Sequence, residues 1–166
     1  MFTWKYIDIP QEEIDAFQKE VRNKLPDNDY FFQMLDIEKK TIMGLEIDLL
    51  VLIQVEPGFG LDNFGIHKDA GSANNQCLAI NIPLENCSES ITKFWKTSKP
   101  EITHFTPNGI PYNFFESDGC ESIDEFKLTR PVIFDTGIPH NVVNPQKVWR
   151  RAISIRFKED PWHLVK

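Results

Sequence analysis

From about Ile47 onward the chain breaks into short apolar runs, each followed within a few residues by a turn signal. The runs are Leu49–Val55, Phe64–His67, Gln76–Pro83, Ser90–Trp95, Pro131–Phe134, Asn141–Val143 and Val148–Phe157. The punctuation is Pro57-Gly58, Gly71-Ser72, Glu85-Asn86, Asn108-Gly109, Asp118-Gly119, Thr136-Gly137 and Asn144-Pro145. Runs this short pair as strands more readily than they coil as helices. Many of them in succession predict a β-sandwich or barrel.

The first quarter has a different texture. Trp4 to Ile9 reads as a strand, and Pro10 is placed to open a helix, where its missing N–H costs nothing. Ile14, Phe17, Val21 and Leu25 share one helical face, and Pro26-Asp27-Asn28-Asp29 ends that helix. Tyr30 to Lys40 is expected to be a second short helix, with Phe31, Met34, Leu35 and Glu38 following part of the period. The expected architecture is mainly β: one domain over 1–166, with a helical support (1–46) packed on one sheet of a jelly-roll core (47–157). Glu101 to Thr129 is the least regular stretch, and a long irregular segment in a small domain is usually functional.

Bulk properties narrow the function. A length of 166 residues suits one domain with a real core. A net charge of −7 disfavours nucleic acid as a partner. Cys77, Cys87 and Cys120 form no CxxC pair and read as small thiols in a reducing compartment. The opening MFTWKYIDIP has neither a basic nor an apolar leader region, and the Leu49–Val55 run is too short to cross a bilayer. The expectation is a soluble cytoplasmic protein with no membrane partner. Its substrate is expected to be a small molecule or a protein side chain, and its oligomeric state is left open.

The chemistry concentrates in His67-x-Asp69, His140 and Arg150. In a strand, residues two apart point to one side, so His67 and Asp69 share a face, with Gly65 and Gly71 free to bend the rim around them. His140 follows the apolar Val132-Ile133-Phe134 and the turn Asp135-Thr136-Gly137, as would a histidine opening a return strand. Two imidazoles and a carboxylate hold a divalent metal on one face and leave the others open. His104 and His163 have weaker context and read as unliganded. In the last run, Ile153, Ile155 and Phe157 alternate with Arg150, Ala152, Ser154 and Arg156, so the apolar face suits the N-terminal helix and the polar face a wet interior. Arg150 is the expected carboxylate clamp, with Arg151 as the alternative and Ser154 as a helper.

His67, Asp69, His140 and Arg150 together resemble the signature of the iron(II)- and 2-oxoglutarate-dependent oxygenases: His-x-Asp, a distal histidine, and an arginine about ten residues beyond it. Val55-Glu56-Pro57-Gly58, His140-Asn141-Val142-Val143-Asn144-Pro145 and the stretch from Leu78-Ala79-Ile80-Asn81-Ile82-Pro83-Leu84 to Trp95 are similar to segments of small phage or bacterial members near the prolyl and aspartyl/asparaginyl hydroxylases. The resemblance spans Leu49 to Phe157. It implies a cupin-like double-stranded β-helix that binds Fe(II) through His67, Asp69 and His140, with 2-oxoglutarate and O2 as co-substrates. The far carboxylate of 2-oxoglutarate would lie on Arg150, and the reaction, expected to be a hydroxylation, would yield succinate and carbon dioxide. Ser154 and Asn81 are further expected cofactor contacts, and Asn81 or Asn141 would support the metal ligands. Phe94, Trp95, Tyr112, Phe114 and Phe115 are candidates for a substrate pocket near the mouth, with Phe94 and Trp95 expected first as core residues and Tyr112 placed evenly between the two roles. Two departures stand out: Ala152 replaces the serine or threonine usual two residues after the arginine, and Lys147-Val148-Trp149 replaces the usual glycine before it. Competing readings are a non-catalytic jelly-roll binding or viral structural module, and a cupin-type metalloenzyme that does not use 2-oxoglutarate.

Overall fold

Alternation along the final strand decides how the molecule is layered. In a computed structural model describing residues 1–69 and 77–166, that strand is the thirteenth of a mostly β chain with one α-helix. The order is β1 (Trp4–Tyr6), α1 (Gln11–Asn23), β2 (Phe32–Leu35), β3 (Thr41–Ile42), β4 (Leu45–Val55), β5 (His67–Asp69) and β6 (Leu78–Glu85). Then follow β7 (Ile91–Lys96), β8 (Ile102–Phe105), β9 (Pro111–Phe114), β10 (Glu121–Lys127), β11 (Val132–Asp135), β12 (His140–Val143) and β13 (Arg150–Phe157), with a 3-10 turn at Trp162–Leu164. The turn expected at Gly71-Ser72 and the head of the run at Gln76 lie outside the described residues.

Two antiparallel sheets result, ordered β1-β11-β6-β13-β4-β2, with β3 on β4, and β10-β7-β12-β5-β9-β8. From β4 onward the chain passes back and forth between them, so β4-β13-β6-β11 of one sheet lies over β5-β12-β7-β10 of the other. The outer face of the first sheet carries Leu50, Leu52, Ile80, Ile82, Ile153, Ile155 and Phe157. These pack against Ile14, Phe17 and Val21 of α1. Phe17 is fully buried there, and such a side chain contributes about 1.5–3 kcal/mol by leaving water. The opposite parity faces inward: Ala79, Val132, Phe134 and Ala152 meet Phe94, Phe126 and Leu128, while Val51, Ile53 and Val55 meet Val142.

Three expectations need correction. Tyr30 to Lys40 is not a helix: β2 pairs antiparallel with β4, Phe32 opposite Ile53 and Leu35 opposite Leu50. The partial helical period lost to the open backbone edge of β4, which another strand satisfies and a helix cannot. The N-terminal support thus has one helix among the described residues, and Leu25 lies beyond its end, exposed. Glu101 to Thr129 is not irregular but carries β8, β9 and β10. Its Pro107, Gly109 and Gly119 fall in the turns, and Pro111 takes the first position of a strand, where no ladder donor is required.

One glycine holds the layers close. Gly60 has φ of +80°, and a Cβ there would lie 2.4 Å from the Val142 carbonyl oxygen, so the loop after β4 can lie directly against β12 only with glycine. Among the described residues no helix is long and apolar enough to cross a membrane. Cys87 is buried, and Cys77 and Cys120 are half-buried.

Candidate metal centre

The centre forms where β5 and β12 meet. His67 and His140 are direct cross-strand partners, and their ring centroids lie 4.6 Å apart. Asp69 shares the His67 face, while Lys68 between them turns outward to Glu101, Nζ to Oε1 2.6 Å. One ligand atom each from His67, Asp69 and His140 lies within 4.8 Å of the others. Asp69 Oδ1 is 3.5 Å from His67 Nε2 and 3.9 Å from His140 Nε2.

Backbone carbonyls orient both rings. His67 Nδ1 donates to the Gly65 carbonyl (2.7 Å) and His140 Nδ1 to the Ile138 carbonyl (2.8 Å). Only a protonated ring nitrogen bonds a carbonyl, so in the neutral rings both Nε2 lone pairs are left for a metal. Asn141 and Asn81, expected in this role, do not fill it. The Asn141 amide instead donates to the Phe64 carbonyl (3.0 Å) and accepts from Trp95 Nε1 (2.8 Å), tying the His140 strand to the segment entering His67.

The electrostatics favour a metal-ready protonation state. Burial works against the Asp69 charge, but Arg156, paired with Asp69 Oδ2, and then the histidines outweigh it and hold the carboxyl well below its usual range. Burial, followed by the neighbouring His67, pushes His140 down to about 4, so it is neutral at pH 7. Burial also opposes charge on His67, yet the hydrogen bond and charge of Asp69 prevail and raise its pKa. Arg156 was visible in the sequence only as one of the inward-parity residues of the last strand. Its pairing with Asp69 depends on β5 and β13 facing each other across the interior. Arg156→Met should leave Asp69 without its counter-ion and weaken Mn(II) binding about 10- to 100-fold. Calorimetric titration checks this, and Arg156→Lys should recover part of the loss.

The same interior holds Arg150, at 0% exposure. Its Nε donates to Ser90 Oγ (3.3 Å), but both terminal nitrogens have no partner among the described residues. Burial pushes its pKa down, which is to say it works against the charge. A buried guanidinium with open donors is expensive unless an anion completes it. Arg151, the alternative clamp, points to the other face and pairs with Glu85 (2.7 Å) and Gln54 (3.0 Å). Ser154 Oγ accepts from Arg156 (2.6 Å). Asn81 is buried opposite Ser154, its side-chain oxygen without a partner among the described residues. Ser90 is the hydroxyl beside Arg150 that sequence reasoning missed, and only its parity with Thr92 and Phe94 of β7, which it immediately precedes, hints at it. Of the aromatics expected at a pocket, Tyr112 and Phe114 line a cavity over His67 and Asp69. Phe94 is packed within the interior and Trp95 in a separate cluster with Ile66, both as core residues, and Phe115 joins that second cluster. Their outward-inward parity along β7 and the turn after β9 decides this.

No protein-family model and no curated protein matches the chain. Among solved structures it is similar to a Pseudomonas putida prolyl-4-hydroxylase, with 14% identity and a TM-score of 0.46, over 96% of this chain and 95% of that one. It is also similar to EvdMO1, with 13% identity and a TM-score of 0.44, over 93% of this chain and 46% of that one. Superpositions this loose say nothing of activity, and the functional reading rests on the centre itself.

Proposed function

We propose that this protein is an iron(II)- and 2-oxoglutarate-dependent oxygenase on a double-stranded β-helix, acting as a hydroxylase. The observation that carries the reading is an interior holding both a convergent His67–Asp69–His140 set and a buried cation with no counter-ion. Two neutral imidazoles and one carboxylate are the donor set of non-haem iron oxygenases. A metalloenzyme without an acidic co-substrate would have no use for the open donors of Arg150.

The residues present fit both groups. His67 Nε2, Asp69 Oδ1 and His140 Nε2 would hold Fe(II), with Arg156 keeping Asp69 ionised. Ser90, beside Arg150 and just before β7, stands four positions from Phe94, opposite His140; four steps of extended chain span about 13 Å. A five-carbon keto diacid fits this interval, its far carboxylate on the Arg150 fork and its keto-acid end toward the histidines. The packed aromatic interior, with Phe94, Phe126 and Phe134 buried in it, excludes water. When bound, iron and 2-oxoglutarate would supply the oxidising power: O2 is split, one oxygen atom leaving in succinate after loss of carbon dioxide, the other replacing a substrate C–H with C–OH.

The test is thermal. With Mn(II) present, 2-oxoglutarate at a hundred times its Kd should add about 2.7 kcal/mol of stability, read as a rise in Tm. Under anaerobic Fe(II) the pair should give a weak visible charge-transfer band. No shift and no band with metal present would remove this reading.

A further inference from the structure

Above His67 and Asp69 lies a cavity of about 460 Å³, within the range of small-molecule sites. Its wall is a closed circuit of aromatic contacts. From His67 the circuit runs one way through Phe31 (6.4 Å between centroids), Phe59 (5.4 Å) and Phe64 (5.8 Å). The other way it passes Tyr112 (6.0 Å), His104 (5.9 Å) and Phe114 (5.2 Å). It closes where Phe64 meets Phe114 at 6.4 Å. Phe64 and Phe105 at the rim are 61% and 66% exposed, a poor use of such side chains unless something covers them.

The charges in this cavity are already spoken for. Asp69 and Arg156 are paired with each other, so among the described residues no lysine, arginine or carboxylate lining the wall is left unpaired to recognise an ionic ligand, and the other ionisable groups there are the imidazoles of His67 and His104. The cavity is also bridged: Asn108, in the turn between β8 and β9, donates to the Phe32 carbonyl of β2 at 2.7 Å. A tie between the edge strands of the two sheets leaves a walled chamber and not an open groove along which a polypeptide could lie.

Resting on the oxygenase reading, we propose that the prime substrate is an uncharged, largely apolar small molecule presenting a flat or ring-shaped face to this aromatic collar. Stacking and edge contacts with the collar hold such a molecule, and the His67–Asp69 side of the chamber presents it to the metal. Free amino acids, nucleotides and other ionic metabolites would meet no unpaired lysine, arginine or carboxylate among the described lining residues.

The neutral fluorophore N-phenyl-1-naphthylamine, titrated into protein loaded with Mn(II) and 2-oxoglutarate, tests this. Saturable one-to-one binding with blue-shifted emission is expected. Phe64→Asp and Phe105→Asp, both at exposed rim positions that tolerate a polar residue, should each weaken binding at least tenfold. Val148→Asp, exposed but outside the cavity, should leave it unchanged. The anionic analogue 1-anilinonaphthalene-8-sulfonate should bind at least tenfold more weakly. Equal binding of the anionic analogue, or binding indifferent to both rim substitutions, would overturn the proposal. The Tm shift with Mn(II) and 2-oxoglutarate, read on the same samples, separates the two failures. A shift without probe binding sinks only the apolar substrate class, whereas probe binding without a shift sinks the oxygenase reading and the substrate's role with it.

Discussion

Arg150→Met is expected to abolish 2-oxoglutarate binding while making the ligand-free protein more stable. The two effects have one cause. In the free protein the guanidinium is fully buried, held by one bond to Ser90 and otherwise unanswered. Replacing such a charge by an apolar side chain of similar volume removes a desolvation cost, and comparable exchanges stabilise by about 1–4 kcal/mol. On the proposed reading the same fork would receive the co-substrate's carboxylate, and deleting one partner of a buried charge pair costs about 2–5 kcal/mol. That corresponds to at least a 30-fold weaker 2-oxoglutarate affinity. Thermal melts with and without 2-oxoglutarate read both effects. A destabilised free protein would mean that Arg150 has a structural counter-ion. An intact 2-oxoglutarate shift would mean that the co-substrate does not use it. Arg151→Met, on the other face and paired with Glu85, should leave the shift in place.

His140→Ala should remove metal binding and turnover together. Supporting residues around metal ligands are worth 10- to 100-fold in affinity, so losing a ligand should cost more than about 100-fold. Mn(II) titration checks it, with Phe17-side packing untouched because His140 lies on the interior side of the sheets. Wild-type binding should also depend on pH with a definite sign. His140 is held neutral down to about 4 and Asp69 ionised lower still, so neither competes with the metal near neutrality. The raised pKa of His67 leaves it as the group that must give up a proton. Affinity should therefore fall about tenfold per pH unit below the His67 pKa and level off above it. A flat profile from pH 5 to 8 would mean that His67 is not a ligand.

Much of this centre was legible as spacing. The i, i+2 relation of His67 and Asp69 survives any fold in which they share a strand, and the alternation Arg150, Ala152, Ser154, Arg156 assigned Arg150 inward and Arg151 outward before any coordinates. The helix with Ile14, Phe17 and Val21 was equally plain, because a full period needs no partner to be recognised. Other features were invisible for a shared reason. The β2 strand at Phe32–Leu35 exists because β4 offers an open edge, and that edge is a property of the assembled sheet. Ser90 meets Arg150 across 60 positions, and Asp69 meets Arg156 across 87. The aromatic collar draws on the loop before β2, the segment between β4 and β5, and the β8–β9 hairpin, and no local pattern relates these.

The amino-acid order alone thus determined the strand-rich class, the inward and outward faces, and which side chains could serve as metal donors, since each follows from residues within one element's reach. Only the packed sheets decided that Nε2 and not Nδ1 of each ring faces Asp69, that Arg156 guards Asp69, that the terminal nitrogens of Arg150 have no partner among the described residues, and that the wall of the chamber above is largely aromatic. Those are relations between elements distant in the chain, set by sheet register and closure.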